Sequence, residues 1–153
     1  MKTAFCNILK GKVVIVGVGH VLKGDDGCGP ALIEALKGKI NAVCIDAGAA
    51  PESFLGKIIK QEPDTILFID AADLSRAPGE YEIIEKNDIG TTGLTTHNTS
   101  LKLLINYLDQ QIKAEIYLLG IQPQDISLGA EISESVRQTI LSIAQQIQES
   151  GHV

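Results

Sequence analysis

The sequence predicts an α/β fold, a doubly wound and mostly parallel sheet covered by helices. Two patterns in the 153 residues carry that prediction. Short runs rich in β-branched residues are apolar at nearly every position, as strands buried on both faces are. Longer stretches repeat apolar residues near every 3.6 positions, as amphipathic helices do. The two patterns alternate along the chain, which implies βαβ units. A chain of this length, 44% hydrophobic and 21% charged, suits one domain over residues 1–153 with a single core, and not a disordered segment.

The first strand is Val13-Val14-Ile15-Val16. A helix follows over Pro30 to Lys39, with Leu32, Ile33 and Leu36 on one face. The second strand is Ala42-Val43-Cys44-Ile45. The next helix, Pro51 to Lys60, carries Phe54, Leu55, Ile58 and Ile59, with Pro51 in the first turn, where a missing N–H costs nothing. Thr65-Ile66-Leu67-Phe68-Ile69 is the third strand. After the turn Ala77-Pro78-Gly79, the segment Glu80 to Glu85 alternates only in part, and its charges suit an edge strand. Ser100 to Ile112 is a helix with a stripe of Leu101, Leu104, Ile105, Leu108 and Ile112. Ile116-Tyr117-Leu118-Leu119 is the last strand. Glu131 to Gln148 closes the chain as a helix with Val136, Ile140, Ile143 and Ile147 in line.

The net charge of −6 comes without any Lys/Arg cluster, so nucleic acid and anionic membrane are poor partners. The apolar residues of the N-terminus are too few and too interrupted for a signal peptide. No apolar run approaches the roughly 18 residues of a membrane span, and a cytoplasmic protein is expected. Cys6, Cys28 and Cys44 form no Cys-x-x-Cys pair, which argues against a zinc knuckle or a redox motif and for three reduced thiols. A nucleophilic Cys28 is the competing reading, since it sits in Asp26-Gly27-Cys28-Gly29-Pro30, but no His in sequence marks it as activated.

In doubly wound sheets, ligands bind beyond the carboxyl ends of the strands, near the point where strand order reverses. The residues after each apolar run are therefore the place to look. After the first strand comes Gly17-Val18-Gly19-His20-Val21-Leu22-Lys23-Gly24-Asp25-Asp26-Gly27. Leu22 stands where a dinucleotide fingerprint needs its third Gly, and no Gly-Lys-Ser/Thr of a phosphate loop follows. What remains is a glycine-rich loop that carries two adjacent carboxylates into a helix start. Adjacent side chains point different ways, so one Asp can cap the helix while the other faces the cleft. Four glycines in eleven residues mean that the backbone passes close to something. His20 can also reach the cleft.

Asp46 and Glu52, after the second strand, are candidates for lining the cleft, with Asp46 equally suited to an ordinary turn. Asp70 ends the third apolar run and falls on the ligand edge; Asp73 reads as solvated or capping. The polar loop Thr91 to Ser100 places His97 just before a helix. Asp26, Asp70 and His97 thus fall on one predicted edge. Two carboxylates and an imidazole suit a borderline divalent metal such as Zn, Ni or Co, with positions left open for substrate.

Taken together, Gly17-x-Gly19-x-x-Leu22-x-Gly24-Asp25-Asp26-Gly27-x-Gly29 resembles the signature loop of hydrogenase maturation endopeptidases. Four more segments resemble the branch that processes the large subunit of hydrogenase-3-type, group 4 enzymes. They are Asp46 to Glu52, Phe68 to Asp73, Thr95-Thr96-His97-Asn98 and Leu119-Gly120-Ile121-Gln122-Pro123, and the similarity runs in order over nearly the whole chain. The resemblance implies a three-layer sandwich, a twisted sheet of about five strands with helices on both faces. It implies Asp26, Asp70 and His97 as metal-binding residues, with Asp26 and Asp70 as catalytic carboxylates. It implies an aspartyl-type endopeptidase that makes one cut near the C-terminus of a nickel-loaded [NiFe]-hydrogenase large-subunit precursor. The nickel would come with the precursor, and Zn or Cd would stand in for it. His20 is a departure, because relatives usually have Asn or Asp there.

Two other readings compete. A phosphoacceptor receiver domain also has an acidic pair, an Asp after strand three and a Thr after strand four, but receivers place Lys where Gln122 precedes Pro123. A non-catalytic nickel-binding escort would carry the same residues as the peptidase. No Ser-His-Asp or Cys-His arrangement marks a standard protease nucleophile.

Overall fold

The computed structural model describes residues 4–89, 95–96 and 100–151. Its elements are α1 (Ala4–Ile8), β1 (Val13–Val18), α2 (Cys28–Leu36), β2 (Val43–Gly48), α3 (Leu55–Lys60), β3 (Thr65–Asp73), β4 (Tyr81–Glu85), β5 (Thr95–Thr96), α4 (Ser100–Gln111), β6 (Glu115–Ile121) and α5 (Glu134–Glu149). The main sheet runs in the order β2-β1-β3-β6-β4, and the two-residue β5 pairs with the far end of β3. The pairs β1–β2, β1–β3 and β3–β6 are parallel, and β4 is an antiparallel edge on β6, as its charges foretold.

The period-two geometry of a strand sends alternate side chains to opposite faces, so each buried run feeds two cores. Val13, Ile15, Leu67, Ile69, Leu119 and Ile121 pack with Phe5, Leu32, Leu36, Val136, Ile140 and Ile143 of α1, α2 and α5. Val14, Val16, Ile66, Phe68, Ile116 and Leu118 pack with Ile58, Leu101, Leu104, Ile105 and Leu108 of α3 and α4. Helices therefore cover both faces, as expected. Among the described residues no helix is long and apolar enough to cross a membrane.

Several boundaries differ from the expectation. α2 begins at Cys28, so Pro30 lies in its first turn, where no helical donor is lost. Pro51 opens a 3₁₀ turn, Pro51–Phe54, and α3 proper starts only at Leu55. α5 starts at Glu134, with Ser133 as its extended N-cap residue. α1 is too short to show a helical period, yet it buries Phe5 completely. The largest difference is in β3, which continues through the buried Ala71 and Ala72 to Asp73. Asp70 therefore lies inside the strand, opposite Gly120 of β6, and not after the strand's end.

The chain leaves β1 for β2 on one side and returns to β3 on the other. Strand order thus reverses between β1 and β3, which opens a crevice at their carboxyl ends.

Candidate active site

A cavity of about 260 Å³ occupies that crevice, lined by Val18, Gly19, His20, Lys23, Asp26, Ala49 and Asp70. β1 delivers Val18 and Gly19, and β3 delivers Asp70. Asp26 comes from a 3₁₀ turn, Gly24–Gly27, that leads directly into α2.

Close backbone packing holds this turn in place. Gly19 has φ +145°, and a Cβ there would overlap the carbonyl oxygen of Asp26. A Cβ on Gly29, in the first turn of α2, would overlap the carbonyl oxygens of Val18 and Ile69. The glycines thus let the helix start press against the ends of β1 and β3, which is the close approach their density in the sequence implied.

The adjacent aspartates do diverge, but neither caps the helix that follows: no side-chain cap bond is made there. Asp25 is fully buried and turned toward the segment after β6. Its Oδ2 accepts bonds from the Gln124 N–H at 2.8 Å, the Asp125 N–H at 3.2 Å and the Ser133 hydroxyl at 2.8 Å. Its Oδ1 accepts the Ser133 N–H at 2.7 Å. Asp25 therefore pins the entry of α5, a helix more than a hundred residues away. Asp26 faces the cavity, and its Oδ2 accepts the His20 N–H at 2.9 Å.

Asp70 is only 1% exposed. Ala71 offers its carboxyl a backbone hydrogen bond, while Oδ2 is buried with no hydrogen-bond partner. Burial first, and then the nearby Asp26 charge, push the Asp70 carboxyl well above the ordinary carboxylate range. An orphaned, charge-crowded oxygen is costly to keep, and it is what a site for a guest cation or proton requires. Among the described residues no group of three His, Cys, Asp or Glu side chains could hold a metal ion; Asp26 and Asp70 supply two donors to the cavity. His97, the third expected ligand, lies outside the described residues. β5 brings the chain as far as Thr96 beside Ala72, two residues beyond Asp70 on β3.

The other expectations sort cleanly. Asp46 lies within β2 and not after it; it is exposed, accepts the Gly48 N–H at 3.0 Å and does not line the cavity. Glu52 is exposed on its 3₁₀ turn and does not line it either. Asp73 is exposed and caps its own turn through the Ser75 N–H at 3.0 Å. All three cysteines are free. The Cys28 thiol is fully buried, and burial followed by the Asp70, Asp26 and Asp25 charges push it well above its ordinary value. A thiol held protonated by three neighbouring carboxylates is no nucleophile.

The sequence undervalued two cavity residues. His20 lines the cavity, and its Nδ1 accepts the Leu22 N–H at 3.2 Å, which leaves the ring proton on Nε2. Its position right after the strand-end glycine was the available signal. Lys23 also lines the cavity, and the Asp26 N–H donates to its carbonyl within the 3₁₀ turn. The three-residue spacing of that turn puts both on one side.

The family model described as hydrogenase maturation protease matches residues 28–150. Hydrogenase 3 maturation protease of Escherichia coli strain K12 is 36% identical over 138 residues, 88% of each chain. The crystal structure of the [NiFe] hydrogenase maturation protease HycI from Thermococcus kodakarensis KOD1 superposes with a TM-score of 0.88 at 29% identity, covering 97% of this chain and 98% of that one. The solution structure of the endopeptidase HycI from Escherichia coli gives a TM-score of 0.80 at 32% identity, covering 94% and 96%.

Proposed function

The chain belongs to the hydrogenase maturation protease family and is a peptidase of that kind, and from this premise we propose that it acts in the cytoplasm on the large-subunit precursor of a [NiFe]-hydrogenase. In this reading it recognises nickel already held by the precursor and removes the C-terminal tail with one specific cut. The observation that carries the reading is the unpartnered Oδ2 of Asp70, buried beside Asp26 at the cavity between β1 and β3. Two crowded carboxylates gain most from a cation that arrives with the substrate. Family membership leaves no place for a phosphoacceptor receiver.

Asp26, Asp70 and His97 are the residues that would grip the nickel. The precursor's nickel would supply a fixed positive centre that anchors the peptide and polarises its carbonyl or a bound water; zinc or cadmium would serve in its place. The chain's own groups do the rest. The His20 N–H fixes Asp26 in orientation. One of the two carboxylates, Asp26 or Asp70, takes the proton of the attacking water and returns it to the leaving amine. The sealed Cys28 thiol takes no part.

The test is tail removal on purified precursor, loaded with nickel or stripped of it. Cleavage is expected only with nickel, and Asp70→Asn and His97→Ala should each abolish it. Unimpaired processing by His97→Ala would refute the ligand assignment. Binding of the loaded precursor by the wild-type protein without any cut would make the chain an escort instead.

A further inference from the structure

Two loops beside the cavity carry large apolar side chains out into solvent. Val21 and Leu22 are each 62% exposed, and Leu128 is 74% exposed. Val21 and Leu22 sit between His20 and Lys23, which both line the cavity. The Gly129 N–H donates to the Leu22 carbonyl at 2.8 Å, so Leu128 stands next to Leu22 although 106 positions separate them.

Backbone bonds tie the two loops to each other. The Gly24 N–H donates to the Ala130 carbonyl at 3.1 Å and the Asp25 N–H to the Asp125 carbonyl at 2.8 Å. The four bonds to the Asp25 carboxylate fasten the same two segments from beneath. This cross-tied pair of loops carries three exposed aliphatic groups. Apolar groups preset in this way bind a partner at little cost in ordering. The other exposed large apolar residues described, Leu103, Tyr107 and Leu141, stand on the outer faces of α4 and α5.

We propose that Val21, Leu22 and Leu128 form an apolar seat for the stretch of precursor polypeptide next to the bond being cut, and that this stretch carries large apolar side chains. The inference deepens the proposed function and rests on it for the identity of the guest. An extended peptide advances about 3.3–3.6 Å per residue. A chain with its scissile bond in the cavity leaves it within a few residues, and Val21 and Leu22 stand in sequence between two of the residues that line it. The division of labour follows from the chemistry. The cavity is polar and acidic, which orients a cation-bearing guest, while affinity for the flanking chain comes from covering apolar surface.

The experiment measures binding of nickel-loaded large-subunit precursor to immobilised protein, in parallel with tail removal. Leu22→Ser and Leu128→Ser should each weaken binding about tenfold, the effect of losing most of one aliphatic contact. The melting temperature should stay unchanged, because both side chains are already in water. Leu141→Ser on α5 is the matched control and should bind as the wild type does. Equal binding by the wild type and both loop variants overturns the seat. So does failure of the wild type to bind at all. A wild-type dimer that Leu22→Ser converts to monomer in sedimentation also overturns it, since the trio would then cover a second copy. If the wild type binds but does not cut, the peptidase reading falls, and the seat is still judged on binding alone.

Discussion

Replacing Asp70 with Asn should make the protein more stable while abolishing tail removal. The side chain is 1% exposed, its Oδ2 has no hydrogen-bond partner, and Asp26 adds a like charge beside it. Asn keeps the shape, removes the charge and offers Asp26 a donor where there was repulsion. A buried polar group left unsatisfied costs about 1–3 kcal/mol. In a chain of this size each kcal/mol moves the melting temperature by about 2–4 °C, so a rise of roughly 3–10 °C is expected at neutral pH. The pH dependence follows from the direction of the shift. The carboxyl titrates near 3.9 in the unfolded chain and well above that in the native state. Between the two values the native state keeps a proton that the unfolded chain has released. Stability of the wild type therefore falls as pH rises from about 4 through the native titration, and it levels off beyond it. The amide of the Asp70→Asn variant does not titrate, so the two proteins should melt together near pH 4 and diverge as pH rises. Thermal unfolding followed by circular dichroism, with a chelator present and pH stepped from 4 to 8, makes the comparison. A variant that melts below the wild type at pH 7, or a gap that does not change with pH, would refute the assignment of Asp70 as a charge held at a cost.

Asp25 should behave in the opposite way. Asp25→Asn turns an amide toward three backbone N–H donors and a hydroxyl, and it should cost about 2–4 kcal/mol, seen as a melting temperature lower by about 5–15 °C. Cys28→Ala should still cut the precursor, at a stability cost of about 1 kcal/mol for the small void left behind. In the native protein iodoacetamide at pH 8 should label Cys6 and Cys44, both part-exposed, and spare Cys28 until denaturant is added. Peptide mapping reads this directly, and early labelling of Cys28 would reopen the thiol as a nucleophile. Gly19→Ala should lose tail removal altogether, because its Cβ would displace the Asp26 carbonyl and with it the turn that presents the carboxylate. Cleavage at the wild-type rate would show that this turn can be rebuilt.

The sheet was legible because a strand buried on both faces is apolar at nearly every position. Val13 to Val16 and Thr65 to Ile69 announce themselves for that reason. β3 was cut short in the expectation because Asp70 interrupts the apolar run, although Ala71 and Ala72 behind it are fully buried. α1 escaped notice because five residues cannot display a 3.6-residue period. Within the site, Asp26 and Asp70 were legible because each follows an apolar run, Asp26 through the glycine-rich loop and Asp70 directly, and Asp46 was not separable from them on that criterion. Only the folded chain shows that Asp46 turns back to its own Gly48. The duty of Asp25 was out of reach, because its partners Gln124, Asp125 and Ser133 are 99 to 108 positions away and nothing local hints at them.

The clasp made by Asp25 also bears on synthesis at the ribosome. Its last tie, Ser133, leaves the exit tunnel only when most of the chain has already emerged. A nascent or truncated chain ending before that residue would hold the whole glycine-rich loop, both aspartates and β3, yet lack the two bonds that Ser133 gives the Asp25 carboxylate. The lining of the cavity is thereby complete in composition before its loop is fully clasped, and the clasp waits for the entry of the C-terminal helix to dock.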